Sequence, residues 1–136
     1  MLFIHNEYLK YELPNEWLAE ENGDNLLLYH PHGRGAMTIS FLNVLNTGLC
    51  LDEQISILAK RFIDRNDIKL NSNFILLNRE GKTVLHGSGA TSDDWFIKLW
   101  IVAKHPKIIF ATYESKKKNK EIKICDAIID SMQFSF

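Results

Sequence analysis

The stretch Asp94-Trp95-Phe96-Ile97-Lys98-Leu99-Trp100-Ile101-Val102-Ala103-Lys104-His105-Pro106-Lys107-Ile108-Ile109-Phe110-Ala111 decides the fold. Trp95, Ile97, Leu99 and Ile101 alternate with Phe96, Lys98, Trp100 and Val102, the period of two that a strand imposes. Both sets are apolar except for Lys98, so both faces of this strand are expected to be covered. His105-Pro106-Lys107 turns the chain, and Ile108 to Ala111 returns as a second buried strand. A short turn between two such strands makes them antiparallel neighbours, and burial of both faces calls for a layer on each side.

The flanking sequence supplies those layers. Downstream, Ile122, Cys125, Ile128, Ile129 and Met132 recur at helical spacing, and Phe134 and Phe136 anchor the end. Upstream, Phe74 to Leu77 and Thr83 to His86 read as strands joined by Asn78-Arg79-Glu80-Gly81. Gly87 and Gly89 mark a bulge or a close approach in the second of them. Leu51, Ile55, Leu58, Ala59 and Phe62 share one face of a helix expected over 51–66. Its Asp52 and Glu53 at the start, with Lys60, Arg61 and Arg65 towards the end, match the helix dipole. Leu26 to Tyr29 and Ala36 to Leu42 form a hairpin across His32-Gly33-Arg34-Gly35, with glycine expected to supply positive φ. Residues 2–13 read as one extended segment, in which Leu9, Tyr11 and Leu13 alternate with Lys10 and Glu12 until Pro14 stops it. Asn22 to Asn25 is a turn, and 45–50 and 66–73 are the long loops. The expected fold is α+β: a mainly antiparallel sheet of about six or seven strands packed with two helices as an αβα sandwich, in a single domain spanning 1–136.

Composition narrows the classes of function. The 136 residues are 46% hydrophobic and 24% charged, enough apolar material for one core and too much for a disordered chain. The net charge of −1 gives no electrostatic ground for nucleic acid or an anionic membrane. No run approaches the ~18 apolar residues of a membrane helix, and Met1 to Glu7 lacks the basic start of a secretory signal. Cys50 and Cys125 have no zinc-type spacing and are expected as reduced, buried thiols in a cytoplasmic chain. Charge is nevertheless uneven: residues 1–25 carry a net −5, and residues 114–123 a net +3 from Lys116, Lys117, Lys118, Lys120 and Lys123. Two solvated faces account for this, and a charged docking surface at one end is the sharper reading.

Five groups of residues have the composition of a site. His30 and His32, at i and i+2 of an extended segment, are a metal-ligand pair in need of a third ligand. The same turn, His32 to Gly35, is a candidate anion nest with Arg34 beside it. His86 and Ser88 share a strand face but lack the flanking pattern of a nucleophile elbow. Asp126 and Asp130 sit one helical turn apart on what reads as the solvated side of the last helix. Phe96 and Trp100 form an aromatic face that is either core or a partner surface.

Three segments together resemble the PsbP/Mog-like superfamily. Tyr11-Glu12-Leu13-Pro14 with Trp17 is similar to its opening, and Leu28-Tyr29-His30-Pro31 followed by Gly33 and Gly35 to Ser40 is similar to its second hairpin. Ile129-Asp130-Ser131-Met132-Gln133-Phe134 is similar to its closing helix. The resemblance implies an antiparallel sheet between helices and a mostly non-enzymatic family of photosystem extrinsic subunits, Ran-GTPase-binding proteins, lipoproteins and effector chaperones. It transfers no functional residue to this chain.

The expectation is a non-enzymatic cytoplasmic domain that binds a partner protein as chaperone, adaptor or immunity protein, through Phe96, Trp100 and Arg34, with no cofactor, nucleic acid or membrane. A homodimer through an edge strand or the Trp100 face is a further form of it. The alternative is a metal- or anion-binding enzyme built on His30, His32 and Arg34.

Overall fold

The computed structural model describes residues 1–136 as eleven strands and two helices. In chain order these are β1 (Leu2–His5), β2 (Leu9–Glu12), β3 (Leu18–Asn22), β4 (Asn25–Tyr29), β5 (Gly35–Asn43), α1 (Leu51–Arg65), β6 (Lys69–Leu70), β7 (Ile75–Arg79), β8 (Lys82–Ala90), β9 (Phe96–Lys104), β10 (Lys107–Ser115), α2 (Glu121–Ser131) and β11 (Gln133–Phe134). Eight strands form one antiparallel sheet in the order β3-β4-β5-β10-β9-β8-β6, with β7 also paired to β8. β1, β2 and β11 form a second, three-stranded sheet.

β9 and β10 are the centre. His105-Pro106 is the two-residue turn between them, since Lys104 pairs with Lys107. β5 pairs along the whole of β10's other edge, from Asn43 opposite Lys107 to Gly35 opposite Ser115. The alternation in the sequence sorts the two faces. Trp100, Val102, Ile109, Ala111 and Tyr113 pack with Leu9, Tyr11 and Leu13 of the small sheet region and with Ile122, Cys125, Ile128 and Ile129 of α2. Leu99, Ile101, Ala103 and Ile108 pack on the opposite face against Ile55 and Ala59 of α1. The α+β sandwich expected from the sequence is the fold observed. Burying a side chain such as Ile101 or Ile109 contributes about 1.5–3 kcal/mol, and both are fully buried.

The strand count exceeds six or seven for identifiable reasons. The segment expected as one strand over 2–13 is folded back on itself, because Asn6 and Glu7 adopt φ of 52° and 64°. Asparagine takes the left-handed region readily and glutamate does not, so the turn was poorly marked. β3 carries Leu18-Ala19-Glu20-Glu21-Asn22, fully exposed and poor in strand-forming types. It forms because Gly23, at φ 64°, closes a tight turn against β4. Gly87 and Gly89 leave β8 unbroken; they admit Phe74 and the Lys69 backbone at close range. β11 pairs with β2 and stacks Phe134 on Tyr8, with ring centroids 6.4 Å apart.

Ile101→Ala should lower the unfolding free energy by about 2–5 kcal/mol, the cost of a cavity in a filled core. Leu18→Ala on the exposed β3 should change it by no more than about 0.5 kcal/mol. Urea unfolding of both variants checks the difference.

Candidate functional site

The hairpin between β4 and β5 is built around a carboxylate from another element. Glu121, the first residue of α2, places Oε1 where it accepts the N–H of Arg34 at 2.9 Å and of Gly35 at 3.1 Å. The Tyr113 hydroxyl donates to the same oxygen at 2.6 Å. Of the candidate anion nest at His32–Gly35, the N–H groups of Arg34 and Gly35 converge on one acceptor, and it is the chain's own carboxylate. The glycines serve this contact and not a left-handed turn, because neither has a positive φ. A Cβ at residue 33 would overlap Glu121 Oε2, and one at residue 35 would overlap the Glu114 carbonyl oxygen. Burial, together with the Glu121 bond, pushes the Tyr113 phenol up to about 12.

His30 and His32 do not converge as a metal pair. His30 Nδ1 accepts the His32 backbone N–H at 3.0 Å, and Nε2 lies 3.3 Å from Glu16 Oε2. Both nitrogens of His30 are thus engaged within the chain, and the two rings are tilted by 55° with centroids 6.0 Å apart. No third ligand completes a site with them, as no three His, Cys, Asp or Glu side chains are arranged to hold a metal ion. The His5 ring stacks on Phe41, with ring centroids 4.3 Å apart.

Trp100 is core, 2% exposed, so a partner cannot dock on its ring. Phe96 is half-buried against the same cluster. Asp126 accepts from Trp100 Nε1 at 3.0 Å and from Lys98 Nζ at 2.7 Å. The ammonium also stands 5.1 Å from the centre of the indole. This is how a strand buried on both faces accommodates Lys98: the expected solvated Asp126 turns to the sheet and pairs it. Asp130 likewise faces Arg79 at 3.5 Å. Between these groups lies a cleft that also contains Lys82 and His86. Lys82 is buried and donates to the Met132 carbonyl at the end of α2; burial lowers its pKa. His86 stands opposite Trp100 on β8. Burial lowers its pKa, and the nearby Lys98 charge lowers it further. Ser88 Oγ accepts from Asn71 at 3.3 Å and makes no hydrogen bond to His86, so there is no nucleophile–base pair there.

Sequence reasoning missed an apolar groove. Leu42, Leu45, Leu49, Ile57, Leu58 and Ile108 line a space of about 510 Å³ between the end of β5, the following loop and α1. Leu45 is 64% exposed, and Leu42, Leu49 and Ile57 are exposed as well. Gln54 holds the loop in place. Its Oε1 accepts the Leu45 N–H at 2.9 Å, and its Nε2 donates to the carbonyls of Leu45 at 2.9 Å and Leu49 at 3.1 Å. Cys50 is exposed and not a core thiol; its S–H donates to Glu53 at the start of α1, while Cys125 is buried. The available signal was the pair of leucines, Leu45 and Leu49, flanking the turn-forming Asn46, Thr47 and Gly48 in that loop.

No protein-family model and no curated protein matches the sequence. Among solved structures, the chain is similar to cyanobacterial PsbP (CyanoP) from Synechocystis sp. PCC 6803, with a TM-score of 0.73 at 11% identity over 98% of this chain and 91% of that one. A structure from Bacteroides thetaiotaomicron has a TM-score of 0.58 at 16% identity, and the match takes in 99% of this chain but 48% of the other. These likenesses establish a PsbP-like fold. No helix is long and apolar enough to cross a membrane.

Glu121→Ala should cost about 1–3 kcal/mol, because two N–H groups and a phenol lose their shared acceptor; Glu121→Gln, which keeps an oxygen, should cost less in the same denaturation assay. His86 should make the fold sensitive to mild acid. Its pKa is lower folded than unfolded, so between the two values the unfolded chain binds more protons and stability falls as pH falls. Urea midpoints at pH 7.5 and at pH 5 should drop more for the wild type than for His86→Gln.

Proposed function

We propose that this chain is a non-enzymatic domain of the PsbP/Mog-like type that binds a partner protein, and that the partner inserts an apolar segment into the groove between α1 and the loop after β5. The observation that carries this reading is the groove itself: exposed leucines held in one shape by Gln54. A preformed apolar recess with a polar rim has the anatomy of an interface, and preorganisation reduces the cost of binding. Asn43, Thr47 and Arg61 supply the rim. Arg61 has no ion-pair partner within the chain. The segment therefore carries an acidic residue beside its apolar anchors. A chaperone, adaptor or immunity role in the cytoplasm fits such a domain. This reading puts the docking surface on the α1 side, away from the buried Trp100.

Selection from a random peptide library displayed on phage tests this. Enriched peptides should combine large apolar residues with an acidic one, and Leu45→Asp should weaken them at least about tenfold, some 1.4 kcal/mol. Leu2→Asp, on the remote β1, should leave them bound. No enrichment, or peptides that bind Leu45→Asp equally well, would overturn the reading. So would a fluorescent fatty acid that occupies the groove more tightly than any peptide, or a dimer of this chain that Leu45→Asp dissolves.

A further inference from the structure

The segment Lys116-Lys117-Lys118-Asn119-Lys120 joins β10 to α2. A lysine run of this kind is ordinarily a solvated loop with no fixed shape. Here it is pinned. Asn119 Nδ2 lies 3.1 Å from each of three acceptors, the Tyr113 hydroxyl, Ser115 Oγ and the Lys117 carbonyl. Its Oδ1 accepts the Glu121 N–H at 2.8 Å. The buried Ser115 hydroxyl donates to the Lys117 carbonyl at 2.6 Å. The Glu121 carboxylate then ties the Arg34 hairpin to the same structure through the bonds described above. Two basic elements more than eighty positions apart in sequence are thereby held side by side.

Arg34, Lys116, Lys117, Lys118 and Lys120 line one open cavity of about 710 Å³ with Asn119 and Glu121. None of the five cations has an ion-pair partner. The chain's pairs are Lys98–Asp126, Arg79–Asp130 and the histidine contacts His5–Glu21 and His30–Glu16. Glu121 is the only acid in the cavity, and one of its oxygens is already committed to two N–H groups and a phenol. Like charges gathered on one surface repel one another. A rigid loop that gathers five of them without a counter-charge is set to receive one from outside.

We propose that this cavity binds a small, multiply charged phosphate anion: a pyrophosphate or tripolyphosphate group, free or carried by a small molecule. One carboxylate or one phosphate would answer only part of the charge. A chain of phosphates presents several oxygens to the Arg34 fork and to the lysine ammoniums together. A long polyanion is a poorer fit, because beyond the cavity it would run past acids on the adjoining strands and turns. Glu16 lies beside His30 and Glu20 bonds the Tyr29 hydroxyl at the base of the same hairpin, and Glu114 is exposed at the end of β10. The site is separate from the apolar groove. It lies where Gly35 meets Ser115, and the groove lies where Asn43 meets Lys107, about 27 Å away along the same strand pair.

Isothermal titration with sodium tripolyphosphate at low ionic strength decides the matter. Binding of one ion per chain is expected, weakening as salt is added. Arg34→Gln and Lys118→Gln should each weaken it several-fold and together at least about tenfold, while Lys60→Gln on α1 leaves it unchanged. Arg34→Gln keeps the backbone N–H that Glu121 needs, and an unaltered thermal melt confirms the fold; if it does not fold, Lys118→Gln alone decides. Absence of heat, or equal weakening by Lys60→Gln, overturns the site. Tighter binding of a poly-glutamate peptide or a single-stranded oligonucleotide than of tripolyphosphate overturns the small-anion assignment.

Discussion

Burial of β9 and β10 on both faces is the constraint from which the rest of the molecule follows. A strand with one wet face needs a single partner layer; these two need one on each side. α1 meets that need on the face of Leu99 and Ile101, and α2 with the small sheet meets it on the face of Trp100 and Tyr113. The cost of this arrangement is borne by the polar residues caught inside. Lys98 projects towards the α2 layer, where only a matched carboxylate makes its burial tolerable. Asp126 supplies it and also satisfies the indole N–H, so no buried side-chain polar atom lacks a partner.

Glu121 plays the corresponding part at the edge of the core. It opens α2, where a carboxylate suits the helix dipole, and its Oε1 reaches across to the β4–β5 hairpin and to β10. One side chain thus fixes the entry of the helix, the shape of a hairpin and the orientation of a buried tyrosine. That economy explains why glycine occupies both 33 and 35, where side chains would displace the carboxylate or the neighbouring strand.

The parts of this fold that were legible in the sequence are those dictated by burial. The alternation in Asp94 to Ala111 and the helical spacing of Ile122 to Met132 located the central sheet and its covering helix. What escaped was decided by contacts between distant residues. β3 has no apolar pattern and exists because β4 lies beside it. The exchange of Trp100 from surface to core depended on Asp126 turning inward, which spacing along one helix cannot reveal. The nest at His32 to Gly35 was readable as an anion site; that its occupant is Glu121, eighty-seven positions beyond Arg34, was not. The lysine run was readable as charge, while its rigidity came from Asn119 and Ser115, two residues with no signature of their own.

The two proposed surfaces sit at opposite ends of the β5–β10 pair, and this follows from how the sheet is made. The strands are paired without a break from Gly35 to Asn43, so their middles are sealed by hydrogen bonds and by packing on both faces. Only the chain leaving those strands is free to vary, and there the sequence departs from the needs of the core: leucines in a loop at one end, lysines in a loop at the other. Neither departure stabilises the fold. Exposed leucines gain nothing from water, and unpaired lysines repel one another. Yet each loop is held in a single conformation by an amide side chain, Gln54 in one case and Asn119 in the other. A loop that is costly in composition and rigid in shape is what a binding surface requires and what a mere connection does not. The PsbP-like fold supplies the scaffold, and the binding we propose for this chain is assigned to those two loops.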